Sequence, residues 1–139
     1  MNITSAINNG YFIKERIDPL LIEKELQESD YDFDKAQQAI QAKDYKWAIV
    51  KCYYSMFHST KAVCFSIGLR EKKHIALVII LEDLSQEGKL EKEYLYSFKA
   101  ALDARESADY HYQHTQETAK HIYSLAQKFN QRLKKILTN

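Results

Sequence analysis

The chain has 139 residues, 45% hydrophobic and 28% charged, with 20 Lys and Arg against 19 Asp and Glu. That length suits one domain around one core, and the composition is globular rather than disordered. Near-neutral charge argues against strong general affinity for nucleic acid, and the longest apolar run, residues 75–81, is far too short to span a membrane.

Residues 1–18 read as a loosely attached N-terminal arm, and residues 19–139 as a helical domain. The arm opens without the basic and apolar regions of a secretory signal. Cys52 and Cys64, twelve residues apart in one predicted helix, point in different directions and do not pair. A reduced, cytoplasmic setting is the resulting expectation.

Asp18-Pro19 has the form of an N-cap followed by a proline in the first helical turn, which predicts a helix over residues 19–42. Its apolar stripe is Ile22, Leu26, Phe33, Ala36 and Ile40, interrupted at Ser29. Asp44 is a plausible cap for a second helix over 44–67. That helix is apolar around most of its circumference, with only Lys51, Ser55 and His58 as a polar strip, so it belongs at the centre of a bundle or against a partner chain. Gly68 stands where it would stop. A short apolar helix over 74–86 ends before Gly88, and a fourth follows over 91–110. The last, over 115–137, carries Ala119, Ile122, Ala126, Phe129, Leu133 and Ile136 on one face. About five helices with short connections predict an all-α, antiparallel up-and-down bundle.

The charge is unevenly spread. Residues 15–34 hold eight acids and two bases, whereas residues 120–139 hold five bases and no acid. Two bundle helices of opposite charge packed side by side account for this; a basic phosphate-binding face helped by Arg70, Lys72 and Lys73 is the competing reading.

The segment Arg105-Glu106-Ser107-Ala108-Asp109-Tyr110-His111-Tyr112 gathers a fixed cation, a group that titrates near neutral pH and two phenols at a helix end. Such a set suits binding a phosphate and moving a proton. Arg105 and Asp109, four apart, share a helix face. His111 points about 120° from Arg105 at ~100° per residue, so the two converge only if the helix ends near Tyr110 or if two subunits each contribute.

Tyr53-Tyr54-Ser55-Met56-Phe57-His58 followed by Lys61-Ala62, then Lys73-His74, then Arg105-Glu106-Ser107-Ala108-Asp109-Tyr110-His111, resembles the HEPN domain, a nucleotide-binding domain shared by higher eukaryotes and prokaryotes. The likeness is to its small stand-alone prokaryotic branch and covers roughly residues 20–137. It implies a helical bundle. Many such proteins are metal-independent endoribonucleases, often toxins paired with a small nucleotidyltransferase antitoxin. Their motif is an arginine and a histidine separated by four to six residues, brought together across a homodimer. By this resemblance Arg105 and His111 are the catalytic pair, acting on RNA without a cofactor or metal. Asp109, Tyr110, Tyr112, His74 and Arg70 are supporting or nucleotide-binding candidates. The place two beyond the histidine, where such toxins commonly carry a modified tyrosine, holds Gln113. A non-catalytic HEPN module that binds a nucleotide or a nucleotidyltransferase partner is the alternative the resemblance allows.

Elsewhere the signals are weaker. His114, Glu117 and His121 have a spacing compatible with a metal ion, although a solvated face explains them as well. His58 reads as a hydrogen-bonded core or interface histidine.

Overall fold

A computed structural model describes residues 1–138. In chain order the elements are α1 (Ile3–Asn8), β1 (Phe12–Lys14), α2 (Pro19–Gln41), α3 (Tyr45–Ser66), β2 (Leu69–Glu71), α4 (Ile75–Gln86), α5 (Lys92–Tyr110) and α6 (Gln116–Thr138). The five expected helices are present, and their ends are set by the expected residues. Asp18 accepts a hydrogen bond from the Leu20 N–H (3.0 Å) with Pro19 in the first turn, and Asp44 accepts from the Trp47 N–H (3.3 Å). Thr115 Oγ1 accepts from the Thr118 N–H (3.1 Å) at the start of α6.

Side-chain pairs across the helices give their directions. Glu25 meets His58 and Asp32 meets Lys51, so α2 and α3 are antiparallel. Phe98 lies against Tyr53 and Phe129, while Ala108 packs with Ala48 and Ala119, which sets α5 antiparallel to both α3 and α6. Asp30 pairs with Lys134 and Phe33 stacks on Tyr123, so α2 and α6 are antiparallel as well. The result is an up-and-down bundle with α3 buried along most of its length and α4 packed against α3 and α5. Tyr53, Met56, Leu77, Ile80, Phe98, Phe129 and Leu133 fill the core, each contributing about 1.5–3 kcal/mol of transfer free energy.

Within the polar strip of α3, Ser55 faces protein rather than water. Ser55 and Ser59 are fully buried where α3 meets α2 and α6. Ser29, the break in the α2 stripe, exchanges hydrogen bonds with Ser55: its Oγ donates to the Ser55 carbonyl (2.8 Å) and the Ser55 Oγ donates back to its carbonyl (2.9 Å). Asn130 of α6 closes the network, donating to Ser55 Oγ (2.7 Å) and accepting from Ser59 Oγ (2.8 Å). Ser29, Ser55, Ser59 and Asn130 thereby all find partners, as burial requires.

Residues 1–18 differ from the loose arm predicted for them. They contribute a sixth helix, α1, and strand β1 pairs antiparallel with β2 in the register Phe12 to Glu71 and Lys14 to Leu69. Ala6 and Phe12 are buried in the main core. Three residues of strand are too few for alternation to show, which is why the segment reads as irregular in sequence. Gly68 links the ribbon to α3: its φ is +75°, and a Cβ there would meet the Glu15 carbonyl oxygen at 3.0 Å. Cys52 and Cys64 are separate buried thiols.

Candidate functional site

Arg105 lies in the last part of α5 on the side that faces α3. Its guanidinium sits over the rings of Tyr53 (5.3 Å) and Tyr54 (5.5 Å), consecutive residues that present two π faces to one cation. The side chain is 18% exposed. Its Nε is 3.3 Å from Asp109 Oδ2, yet the pair is misaligned, and Nε has no hydrogen-bond partner among the described residues. Burial without full hydrogen bonding is costly for a guanidinium, and the two tyrosine rings and Asp109 offset that cost only in part. Burial pushes the Tyr53 hydroxyl up to about 12, with Arg105 pulling the other way, so Tyr53 is a neutral platform rather than an acid.

His111 is the C-cap of α5 and is exposed. Its backbone N–H still donates to the Ser107 carbonyl (3.0 Å), so the helical phase persists to this residue and carries its side chain away from Arg105. Tyr112 then takes a left-handed conformation (φ +55°), and the Gln113 N–H donates to the same Ser107 oxygen (3.0 Å). The helix thus ends where the sequence suggests. Even so, His111 and Arg105 of one subunit remain on different flanks of α5. Tyr110 and Tyr112 are 69% and 80% exposed.

Beside this turn runs a groove of about 500 Å³ between α5 and α6, lined by Ala104, Ser107, residues 112–115 and Thr118. A second hollow, lined by residues 15–19 and Leu21, contains none of these groups.

His74 caps α4, with its ring 5.0 Å from Phe57, which in turn lies 5.8 Å from Tyr54. His74 therefore stands at the far end of an aromatic row that begins under Arg105. Arg70 is placed elsewhere: its Nε donates to both carboxylate oxygens of Glu15 (3.0 Å each), and its guanidinium covers Phe65. Phe65 is eleven residues beyond Tyr54 on α3, about 16 Å along the axis. His114, Glu117 and His121 do not form a metal-ligand set, and no group of three such side chains does among the described residues. On α6, Lys134 pairs with Asp30 of α2, which supports the packing of opposite charges, and Arg132 pairs with Glu91 before α5; Lys120, Lys128 and Lys135 are exposed.

The HEPN-domain model matches residues 22–136. The chain belongs to the HEPN family. A curated protein described as "Putative toxin MJ0605", from Methanocaldococcus jannaschii, is 31% identical over 111 residues, covering 78% of this chain and 83% of that protein. A second from the same organism, "Putative toxin MJ0142", is 23% identical over 90 residues, and the match spans 64% of this chain and 61% of the relative. Among the described residues of this HEPN protein, no helix is long and apolar enough to cross a membrane.

Several residues at the site do not stand out in the sequence. Tyr53 and Tyr54 carry the family resemblance but reveal nothing there of their contact with Arg105. Ser107, His114 and Thr118 acquire meaning only from the turn that brings α5 and α6 together. His58 has a richer setting than a core histidine: Nδ1 is 2.6 Å from Glu25 Oε2 and Nε2 is 3.5 Å from Asp32 Oδ2.

Proposed function

We propose that this HEPN protein is a metal-independent endoribonuclease, the toxin of a toxin–antitoxin pair, whose site combines Arg105 of one subunit with His111 of another in a homodimer. The observation that carries this is the contrast at the end of α5. A shielded guanidinium with an unpartnered N–H and an exposed histidine share one helix end, at a phase that keeps them apart within a subunit. Toxin-like relatives support the same reading.

In the proposed reaction one His111 accepts the proton of the RNA 2′-hydroxyl as its oxygen attacks the adjacent phosphorus. The bond to the 5′-oxygen breaks, and the same His111, now protonated, gives the proton to that leaving oxygen. The products are a 2′,3′-cyclic phosphate and a 5′-hydroxyl. Arg105 neutralises charge on the pentavalent phosphorane, held in place by Tyr53, Tyr54 and Asp109. No cofactor takes part, and a small nucleotidyltransferase is the proposed antitoxin partner. The setting proposed is cytoplasmic.

Expression of wild type, Arg105→Ala and His111→Ala tests this, with growth, RNA integrity in the presence of a chelator, and circular dichroism followed together. Wild type is expected to arrest growth and cut RNA, and both folded variants to do neither. Equal behaviour of all three removes the proposal.

A second reading has its own support in the Asp109 carboxylate, which already offsets the charge of Arg105 within the subunit and so weakens its hold on a pentavalent phosphorane. In it the domain binds a nucleotide or a nucleotidyltransferase without cleaving RNA. This predicts intact RNA together with a stable complex or measurable nucleotide affinity.

A further inference from the structure

We propose that the groove at the α5–α6 turn is a nucleobase subsite for single-stranded RNA, with Tyr112 as its stacking surface. The inference rests on the RNA-directed reading above and assigns a place for the base next to the cleaved bond.

The position of the groove follows from helix phase. Ser107 projects about 200° from Arg105 but only about 40° from His111 at ~100° per residue. A ligand in the groove therefore adjoins the His111 of the same subunit, whereas that subunit's Arg105 faces the opposite flank. A nucleotide bound here would present its ribose to His111 and its phosphate to the Arg105 of the partner.

Two independent features suit a base. The first is chemical: around a space of about 500 Å³ stand an aromatic ring, the Gln113 amide, the His114 imidazole and the Ser107 hydroxyl. Among the described residues these three polar side chains make no hydrogen bond within the protein, which leaves donors and acceptors for a base edge. A volume of this size accepts a nucleoside. The second is conformational. Tyr112 has φ +55°, a region unfavourable for any residue with a Cβ, and its side chain is 80% exposed. Packing therefore does not account for a large aromatic residue at a position where glycine would relieve the backbone. A ring held open to solvent at the mouth of a polar groove is what base stacking requires.

The test uses the full 15N-labelled chain, titrated with the four nucleoside 5′-monophosphates, and with ribose 5-phosphate and inorganic phosphate as base-free controls. Amide shifts are expected at Ser107, Gln113, His114 and Thr118 with at least one monophosphate and with neither control. A short single-stranded oligoribonucleotide is expected to bind more tightly than the mononucleotide. Tyr112→Gly should weaken base binding about tenfold or more, while its melting temperature rises by about 2–4 °C because the left-handed strain is gone. Tyr112→Phe should bind as wild type does. The proposal is overturned if a control reproduces the shifts, if they map elsewhere, if the oligoribonucleotide gains nothing over the mononucleotide, or if Tyr112→Gly binds undiminished. These results are separable from failure of the nuclease reading, in which RNA stays intact while Tyr112-dependent base binding persists.

Discussion

Arg105 Nε and Asp109 Oδ2 stand 3.3 Å apart across one turn of α5, within ion-pair range but without a hydrogen bond. Asp109 thus restrains the guanidinium over Tyr53 and Tyr54 electrostatically, while one of its N–H groups is left without an acceptor. A carboxylate in that place also repels phosphate. Orientation and attraction are therefore set against one another by a single residue.

Asp109→Asn separates the two effects. RNA affinity should be equal to or higher than that of wild type, because a negative charge near the phosphate is gone. The cleavage rate should fall about tenfold, because the guanidinium is less well oriented. Single-turnover rates and equilibrium binding, measured on the same RNA, check this. An unchanged rate with weaker binding would contradict the orienting role.

Asn130 holds the buried network that joins three helices. Asn130→Ala removes the acceptor for Ser59 Oγ and the donor to Ser55 Oγ, both inside the core. Losing two buried hydrogen bonds and leaving a cavity should cost about 2–4 kcal/mol, although Ser29 still partners both hydroxyls. The urea midpoint should drop accordingly with little change in slope. A loss below about 1 kcal/mol would mean that water or rearrangement satisfies the serines.

The difference between what is legible in sequence and what is not lies in the range of the interactions. Asp18, Asp44 and Thr115 mark helix starts through contacts two or three residues away, so the boundaries of α2, α3 and α6 are readable. Gly68 and Gly88 end helices through their own backbone freedom. By contrast, the burial of Ser55 within the polar strip of α3 is not legible, because its partners Ser29 and Asn130 are 26 and 75 residues away. The same holds for β1, whose pairing with β2 depends on a chain reversal through two helices. At the site, the phase between Arg105 and His111 is legible. The aromatic bed under Arg105 is not, since nothing local to either segment encodes it.

Asp32 supplies a dependence on pH. Burial, the largest influence, holds its carboxyl above the ordinary 3.8; Lys51 and His58 pull it down, Glu28 pushes it up, and the net shift is upward. Between 3.8 and the raised value the folded protein binds this proton more tightly than the unfolded chain does. The contribution of Asp32 to stability is thus full below about 3.8 and is lost as pH rises through the folded value. Asp32→Asn mimics the protonated side chain. It should be at least as stable as wild type at pH 7, and the gain should vanish below about pH 3.8. Chemical denaturation at several pH values checks the sign, and a variant clearly less stable at neutral pH would show that the pairs with Lys51 and His58 outweigh desolvation.

The composite site makes a prediction that no single-chain site shares. If Arg105 of one subunit works with His111 of the other, a heterodimer of Arg105→Ala with His111→Ala has one intact pair and one site lacking both groups. Each variant alone should be inactive. Co-refolded in equal amounts, they should recover about a quarter of wild-type activity, since half of the dimers are mixed and each of those carries one working site of two. Pairing within a subunit instead leaves every site of every dimer damaged, so the mixture would stay silent. Light scattering on the refolded sample must show dimers for the result to count. Recovery that scales with the mixed-dimer fraction, set by varying the ratio of the two variants, would distinguish true complementation from contamination by wild type. The helical phase makes the outcome physical rather than formal: Arg105 and His111 project about 120° apart on one helix, and in the proposed dimer a second copy of that helix would supply what the first cannot.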